Sequence, residues 1–339
     1  MISCCVEQGL NVDSRRRERD LPLATVLMTD SPLTTKTEES IGAVVSTAPE
    51  EQSFFRSPGL PSGFVRVCLY LILGNGITFG LLWVARFFLK DGLSPYAPQR
   101  LMTGESVALL GAFSSAWMMS RLERREFGAY GLPLRGAFGK LFWQGALFGL
   151  TEISVVVGAM AALGAYHFGA LEIHGAELLR WAVFWIIFFI FVGLYEEFAF
   201  RGYVQFTFAQ GLGFWPAAVL LSFAFGLIHK GNPGETWVGL AGIVLTGLFW
   251  CFTLRRTGNL WFAVGMHAIF DFGETFLYSV PDSGMIFPGH LSGATIAGPI
   301  WLTGGTAGPE GSVLDVLTLL FFFYAFHRLY PAKSADPQS

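Results

Sequence analysis

Eight stretches of mainly apolar residues constrain this chain more than any other feature of its sequence. A helix that spans a lipid bilayer needs about 20 such residues. The stretches are residues 64–89, 101–120, 140–166, 177–208, 213–230, 236–254, 259–280 and 311–330. We therefore predict an all-α fold, a polytopic transmembrane helix bundle of about eight helices.

The composition agrees with a multi-pass integral membrane protein. Hydrophobic residues make up 53% of the chain and charged residues only 14%, whereas a soluble domain carries about 25% charged residues. The net charge of −3 shows no basic bias, so we predict no nucleic-acid partner. Glycine pairs at Gly76/Gly80 and Gly145/Gly149 have the small-xxx-small spacing that allows helices to pack closely in lipid.

The two ends of the chain differ from its apolar centre. Residues 1–60 are rich in Ser, Thr, Glu, Pro and Arg and have no sustained apolar period, which predicts a disordered cytoplasmic tail. Residues 61–332 are predicted to form one transmembrane helical domain, and residues 333–339 a short C-terminal tail.

Lysine and arginine in the short loops predict the orientation of the helices, because these residues are enriched on the cytoplasmic side. With eight spans, most of them fall on one side of the membrane, and the opposite side has few. The predicted cytoplasmic set is Arg121, Arg124, Arg125, Arg135, Lys140, Arg255, Arg256, Arg328 and Lys333. Both termini are therefore predicted to be cytoplasmic.

The most informative charges lie in the fourth apolar stretch. Between Trp181 and Val219 the only charged residues are Glu196, Glu197 and Arg201. Charge at bilayer depth is costly, and such residues commonly serve function. Glu197 and Arg201 are four residues apart and can form an ion pair, whereas Glu196 points about 100° away. A neutralised packing cluster or a lock between helices is the structural alternative.

Two further helices supply polar residues at compatible depths. His229 ends the fifth apolar stretch, and His267 and Asp271 lie one helical turn apart in the seventh. The i, i+4 spacing lets a carboxylate face the imidazole, or lets both project towards one site. Three segments could thus surround one polar cavity, although an interfacial role for His229 is an alternative.

Carboxylates and imidazoles together suit hydrolysis. They are the usual ligands of zinc, and a bound metal lowers the pKa of water and polarises a carbonyl group, while a second carboxylate acts as general base. Without a metal, a buried glutamate could activate water with help from histidine. The sequence has no H-E-x-x-H motif, which excludes a zincin, and no supported G-x-S-x-G, P-loop or Rossmann motif.

Three short motifs on successive helices resemble those of a known family. They read Glu196-Glu197-Phe-Ala-Phe-Arg201, Phe225-Gly-Leu-Ile-His229 and His267-Ala-Ile-Phe-Asp271. Their order and spacing are similar to the E-E-x-x-x-R, F-x-x-x-H and H-x-x-x-N/D motifs of the CPBP intramembrane proteases, which include the type II CAAX prenyl endopeptidases and the Abi bacteriocin-immunity proteins. The resemblance covers about residues 190–275.

The resemblance implies an intramembrane endopeptidase. It implies that Glu196 and His229 activate water or bind a metal, that Glu197, His267 and Asp271 complete the site, and that Arg201 orients the carboxylates. Our predicted ligands for a divalent metal, zinc being favoured, are Glu196, His229 and His267. The implied substrate is a membrane-associated protein or peptide, either a prenylated CAAX protein or a bacteriocin precursor.

Two other functions stay open. Buried glutamates and histidines also form proton relays, which fits a proton-coupled transporter. An inactive immunity or scaffold protein of the same fold would keep the same motifs. Glu105, Glu152 and Asp315 also lie in or near apolar stretches, and for them we predict a position at a loop edge or a local hydrogen bond.

Overall fold

The computed structural model describes residues 59–332. The predicted C-terminal tail, and the predicted N-terminal tail apart from residues 59 and 60, lie outside the described residues. Predictions for those two segments therefore stay predictions.

The described chain is mostly helical and has little sheet, which confirms the predicted all-α helix bundle. Two-residue strands β1 (Tyr166–His167) and β2 (Thr295–Ile296) pair antiparallel across a loop region. Short 3-10 turns cover Phe127–Tyr130 and Pro309–Gly311, and a π-helical turn covers Gly273–Leu277. The α-helices are α1 (Leu60–Ala85), α2 (Pro98–Glu123), α3 (Lys140–Ala162), α4 (Gly175–Arg201), α5 (Tyr203–Leu212), α6 (Phe214–His229), α7 (Trp237–Thr257), α8 (Trp261–Phe272), α9 (Ile300–Thr303) and α10 (Val313–Leu329).

Each of the eight predicted stretches contains a helix, but these helices differ in whether they are long and apolar enough to span a bilayer. Within residues 59–332, four helical segments are long and apolar enough by themselves: α1, α3, α4 together with α5, and α7. The chain is thus an integral membrane protein. Helices α6, α8 and α10 have 16, 12 and 17 residues. The count of eight spans stays a prediction.

The predicted single helix over residues 177–208 is wrong at Gly202, where the chain breaks between α4 and α5. Gly202 has a φ of −85° and a ψ of −119°, which is not helical. A Cβ atom at this position would overlap the carbonyl oxygen of Phe198, so the sharp bend needs a glycine. The break turns α5 away, and the Tyr203 ring stacks on Tyr70 of α1 with 4.6 Å between centroids.

A buried polar network fastens this bend to the first two helices. Glu123, at the end of α2, lies 3.5 Å from the Arg66 guanidinium and accepts hydrogen bonds from the Tyr130 and Tyr203 hydroxyl groups. Arg66 also donates to Gln210 of α5 at 3.1 Å. Since these partners satisfy one another, the network joins α1, α2 and α5 without leaving the Glu123 charge uncompensated.

Helix α8 is the centre of the fold, because every residue from Trp261 to Ala268 is buried. Its backbone packs directly on α3: a Cβ atom at Gly145 or Gly149 would overlap the carbonyl oxygens of Phe262 and Met266. The close packing predicted for Gly145/Gly149 is therefore confirmed. At Gly76 and Gly80 a Cβ atom would meet nothing within 4 Å in the described chain, so no helix of residues 59–332 packs closely on that pair.

Candidate active site

A cavity of about 170 Å³ collects side chains from most of the helices. Four of the predicted site residues line it: Glu196 from α4, His229 from the last turn of α6, and His267 and Asp271 from α8. Glu197 and Arg201 lie behind this wall and are fully buried. The structure thus brings all six predicted residues into one region. The four residues that line the cavity form an outer layer, and Glu197 and Arg201 form an inner layer.

The inner layer is an ion pair that also holds a histidine. Arg201 Nη1 donates to Glu197 Oε1 at 2.9 Å, which confirms the ion pair predicted from their i, i+4 spacing. The same oxygen lies 3.1 Å from His267 Nδ1. A carboxylate paired with arginine is an acceptor, so the Nδ1 hydrogen of His267 points to Glu197. Glu197 therefore sets the orientation of the His267 ring.

Arg201 is enclosed by rings as well as by its carboxylate partner. Its guanidinium carbon lies 4.5 Å from the centroid of Phe225 and 4.8 Å from that of Trp250. A Cβ atom at Gly247 would lie 2.9 Å from Arg201 Nη2, so glycine at that position of α7 leaves room for the arginine. This packing fixes the position of the Arg201 guanidinium, which in turn holds Glu197 in place.

The outer nitrogen of His267 faces two carboxylates. His267 Nε2 is 3.4 Å from Asp271 Oδ2 and 3.8 Å from Glu196 Oε2. The Trp250 ring stacks on the imidazole with 4.6 Å between centroids and keeps it in this plane. Both carboxylates repel the lone pair of an unprotonated Nε2. A proton or a metal ion at Nε2 relieves that repulsion.

His229 is oriented in a parallel manner. Its Nδ1 lies 2.7 Å from the carbonyl oxygen of Phe225, to which it donates because a carbonyl can only accept. The Phe225 ring lies 4.4 Å from the imidazole centroid. In both histidines Nδ1 is therefore occupied by an acceptor, and Nε2 is the ring nitrogen left for water, substrate or metal.

Glu196 differs from its neighbour in exposure. Its side chain is 26% exposed and faces the cavity, while that of Glu197 is 0% exposed. The rotation of about 100° between consecutive helical residues accounts for the difference. One glutamate is thus available to a reactant, and the other is committed to Arg201 and His267.

Comparison with known proteins finds a family model that matches part of the chain. Residues 178–273 match the model of the family described as type II CAAX prenyl endopeptidase, Rce1-like. These residues form an Rce1-like domain. The match confirms the resemblance drawn from the three motifs. No curated protein and no solved structure matches the chain.

All six predicted site residues fall inside the Rce1-like domain, but the cavity extends beyond it. The lining has seven carboxyl residues and, within residues 59–332, no lysine or arginine. Five of the seven lie outside the domain: Glu105, Glu152, Asp282, Glu310 and Asp315. The placement predicted for Glu105 and Glu152 at a loop edge is wrong, since both lie within helices that face the cavity.

Sequence reasoning gave these five residues no role. The signal for Glu105 and Glu152 was charge inside an apolar stretch, whereas nothing in the local sequence marked Asp282 and Glu310 of the loop after α8. Burial raises the pKa of Glu310 to about 8, and the nearby Asp271 carboxylate raises it further. Burial likewise raises the pKa of Asp282 well above its usual range, with Asp271 next in effect.

The end of α8 also contributes to an acidic group next to the Rce1-like domain's histidines. Carboxyl oxygens of Asp271, Glu274 and Asp282 lie within 4.8 Å of one another, and all three side chains are buried. This group shares Asp271 with the predicted site. It contains none of our three predicted metal ligands, Glu196, His229 and His267.

Proposed function

We propose that this protein is an intramembrane endopeptidase that hydrolyses a peptide bond of a membrane-associated protein or peptide. The match to the CAAX prenyl endopeptidase family supports a protease of this type. The observation that carries the mechanism is the shared orientation of His229 and His267. Each donates its Nδ1 hydrogen to a fixed acceptor and keeps Nε2 for the reaction, beside the partly exposed Glu196.

Glu196 is our candidate for the general base. It is the member of the pair that faces the cavity, so it can take a proton from a water molecule as that water attacks the scissile carbonyl. The same carboxyl group then returns the proton to the leaving amine. His229 Nε2 accepts a hydrogen bond from this water and holds it near Glu196.

Glu197 and Arg201 act through other residues. Arg201 neutralises Glu197, and Glu197 holds His267 by its Nδ1 hydrogen, which points Nε2 at Asp271 and Glu196. When Nε2 carries a proton, His267 can donate to the oxygen that becomes negative as the tetrahedral intermediate forms. Asp271 stabilises the protonated ring.

A metal-assisted reaction at the outer layer is the alternative version of this proposal. His267 Nε2 lies 3.8 Å from Glu196 Oε2 and 3.4 Å from Asp271 Oδ2, and His229 lines the same cavity. Within residues 59–332, the only three ligand residues whose donor atoms lie within 4.8 Å of one another are Asp271, Glu274 and Asp282. Glu196, His229 and His267 are the residues that would hold zinc, with Asp271 beside them. When bound, a metal supplies polarisation of the carbonyl group and a more acidic water molecule.

The proposed substrate is a membrane-associated protein or peptide. The candidates are a prenylated CAAX protein and a bacteriocin precursor, since the family match names the first and the motif resemblance includes relatives of the second. Both termini of the chain are proposed to be cytoplasmic.

A cleavage assay in liposomes tests this proposal. Wild type, Glu196→Ala and His229→Ala are incubated with a prenylated CAAX peptide and a panel of bacteriocin leader peptides, each with and without a chelator, and products are identified by mass spectrometry. Glu177→Ala and His174→Ala are matched controls, because both residues are exposed and lie near the start of α4.

We expect cleavage by wild type and both controls, and its loss in Glu196→Ala and His229→Ala. Activity that survives both substitutions refutes the assignment of the site. Full activity after stringent metal removal refutes the metal-assisted version alone.

A proton-coupled carrier is the second candidate, and one observation favours it. The protease motifs leave unused the carboxyl groups of Glu105, Glu152 and Asp315, which line the same cavity from α2, α3 and α10. Proton or solute flux into liposomes that Glu197→Gln abolishes, with no peptidase activity in wild type, would favour the carrier.

A further inference from the structure

The carboxyl cluster at the end of α8 is not needed for water activation by Glu196 and His229. Asp271 belongs to the last turn of α8, Glu274 to the π-helical turn that follows, and Asp282 to the next loop. Their oxygens converge to within 4.8 Å of one another. π-Helical turns are rare and are found frequently at functional sites.

Glu274 is the residue that requires an explanation. Its side chain is completely buried, and neither carboxyl oxygen has a hydrogen-bond partner in the described chain. Asp282 accepts a hydrogen bond from the Thr275 hydroxyl at 2.9 Å, and Asp271 lies beside His267. Nothing comparable offsets the loss of water around Glu274, and its nearest acidic neighbours repel it.

We propose that Asp271, Glu274 and Asp282 bind a hard divalent cation of the calcium class. All three donors are carboxyl oxygens, which such cations prefer, whereas zinc favours nitrogen and sulfur. Calcium–oxygen bonds of about 2.4 Å place opposite ligands about 4.8 Å apart. The convergence of the three oxygens therefore matches one coordination shell.

The surroundings can complete that shell. Glu310 lines the adjoining cavity and has one oxygen, Oε1, that is buried and without a partner in the described chain. Asp271 and Asp282 both line this cavity as well, which provides a route for a hydrated cation and space for its remaining water ligands.

The cation would act as a clamp beside the proposed active site. It ties the loop that contains Asp282 to the end of α8, and Asp271 is shared, since its Oδ2 is 3.4 Å from His267 Nε2. Asp271 is thereby held in its orientation towards His267. Calcium binding can be tested separately from peptidase activity, because it is measured without any substrate.

Equilibrium dialysis with radioactive calcium tests the proposal on the full chain in detergent after chelation and removal of the chelator. Variants Glu274→Gln and Asp282→Asn remove cluster oxygens and keep side-chain size. Glu126→Gln and Asp91→Asn are the matched controls, because both residues are exposed in other loops. The midpoint of thermal unfolding is recorded with and without calcium for each variant.

We expect wild type and both controls to bind one calcium ion per chain with a Kd below about 1 mM, and calcium to raise their unfolding midpoints. Each cluster variant should bind at least tenfold more weakly and lose the thermal shift. Absence of calcium binding by wild type, or equal binding by the cluster variants, overturns the proposal even if a variant folds poorly. Calcium binding without cleavage of any peptide refutes the proposed protease alone.

Discussion

At the scale of single residues, two adjacent glutamates have different environments. The sequence predicted this difference, because only Glu197 has an arginine one turn ahead, and the 2.9 Å ion pair agrees. The sequence did not predict that Glu197 also binds His267, since that contact joins α4 to α8 and depends on how the helices pack. Local spacing thus explains the ion pair between Glu197 and Arg201, whereas the contact between Glu197 and His267 depends on tertiary structure.

The different environments of the two glutamates predict that their substitutions affect stability to different extents. Glu197→Ala leaves Arg201 buried without its partner and should lower the free energy of unfolding by about 3–5 kcal/mol. Glu196→Ala removes a partly exposed side chain and should change that free energy by less than about 1 kcal/mol, while abolishing activity. Reversible unfolding in mixed micelles measures both.

The double variant Glu197→Gln/Arg201→Met serves as a control for the ion pair. It removes both charges together and should be more stable than Glu197→Ala. Equal destabilisation by Glu197→Ala and Glu196→Ala would contradict the division of roles between the glutamates.

At the scale of helices, the position of His267 depends on glycines in another helix. Gly145 and Gly149 bring the backbone of α3 against α8, and the sequence predicted this from their spacing. The same spacing at Gly76 and Gly80 predicted a contact that the described chain lacks. A four-residue spacing shows that close packing is possible, but not which face meets a partner.

This contrast provides a matched pair of substitutions. Gly149→Ala places a methyl group against the Met266 carbonyl, so it should push α8 away, lower stability by about 1–3 kcal/mol and reduce cleavage. Gly80→Ala meets nothing within 4 Å and should leave both properties near wild type. Peptidase rates and unfolding midpoints measured side by side check this, and equal behaviour of the two variants would contradict it.

At the scale of the whole molecule, helices far apart in sequence create one acidic cavity. The helix bundle and the three motifs were predictable, because apolar length and residue spacing are local properties. The carboxyl groups of Glu105, Glu152, Asp282, Glu310 and Asp315 were not predictable as cavity residues, since their convergence depends on the packing of α2, α3, α10 and a long loop. The break at Gly202 was missed because the mainly apolar stretch continues on both sides of it and a single glycine is tolerated within a helix.

The acidic cavity predicts a pH-dependent stability through Glu310. Its pKa of about 8 in the folded protein exceeds the usual 4.5, so the folded state binds more protons between these values. The contribution of Glu310 to stability should therefore be fully present below about pH 4.5 and be lost as pH rises through about 8. In Glu310→Gln this loss should be smaller, whereas Glu126→Gln should follow wild type.

Thermal unfolding in chelator from pH 5 to pH 9 measures the effect. Identical pH dependence of wild type and Glu310→Gln would contradict the burial of this carboxyl group in its protonated form.

Activation of water by Glu196 is the step on which the proposed intramembrane protease depends. The most direct test is the single-turnover rate of peptide cleavage by Glu196→Gln and wild type in identical liposomes, with substrate binding measured in parallel. We predict a rate at least about 100-fold lower for Glu196→Gln with unchanged binding, since general-base catalysis contributes about 10²–10⁴-fold. A rate within about threefold of wild type would contradict water activation by Glu196.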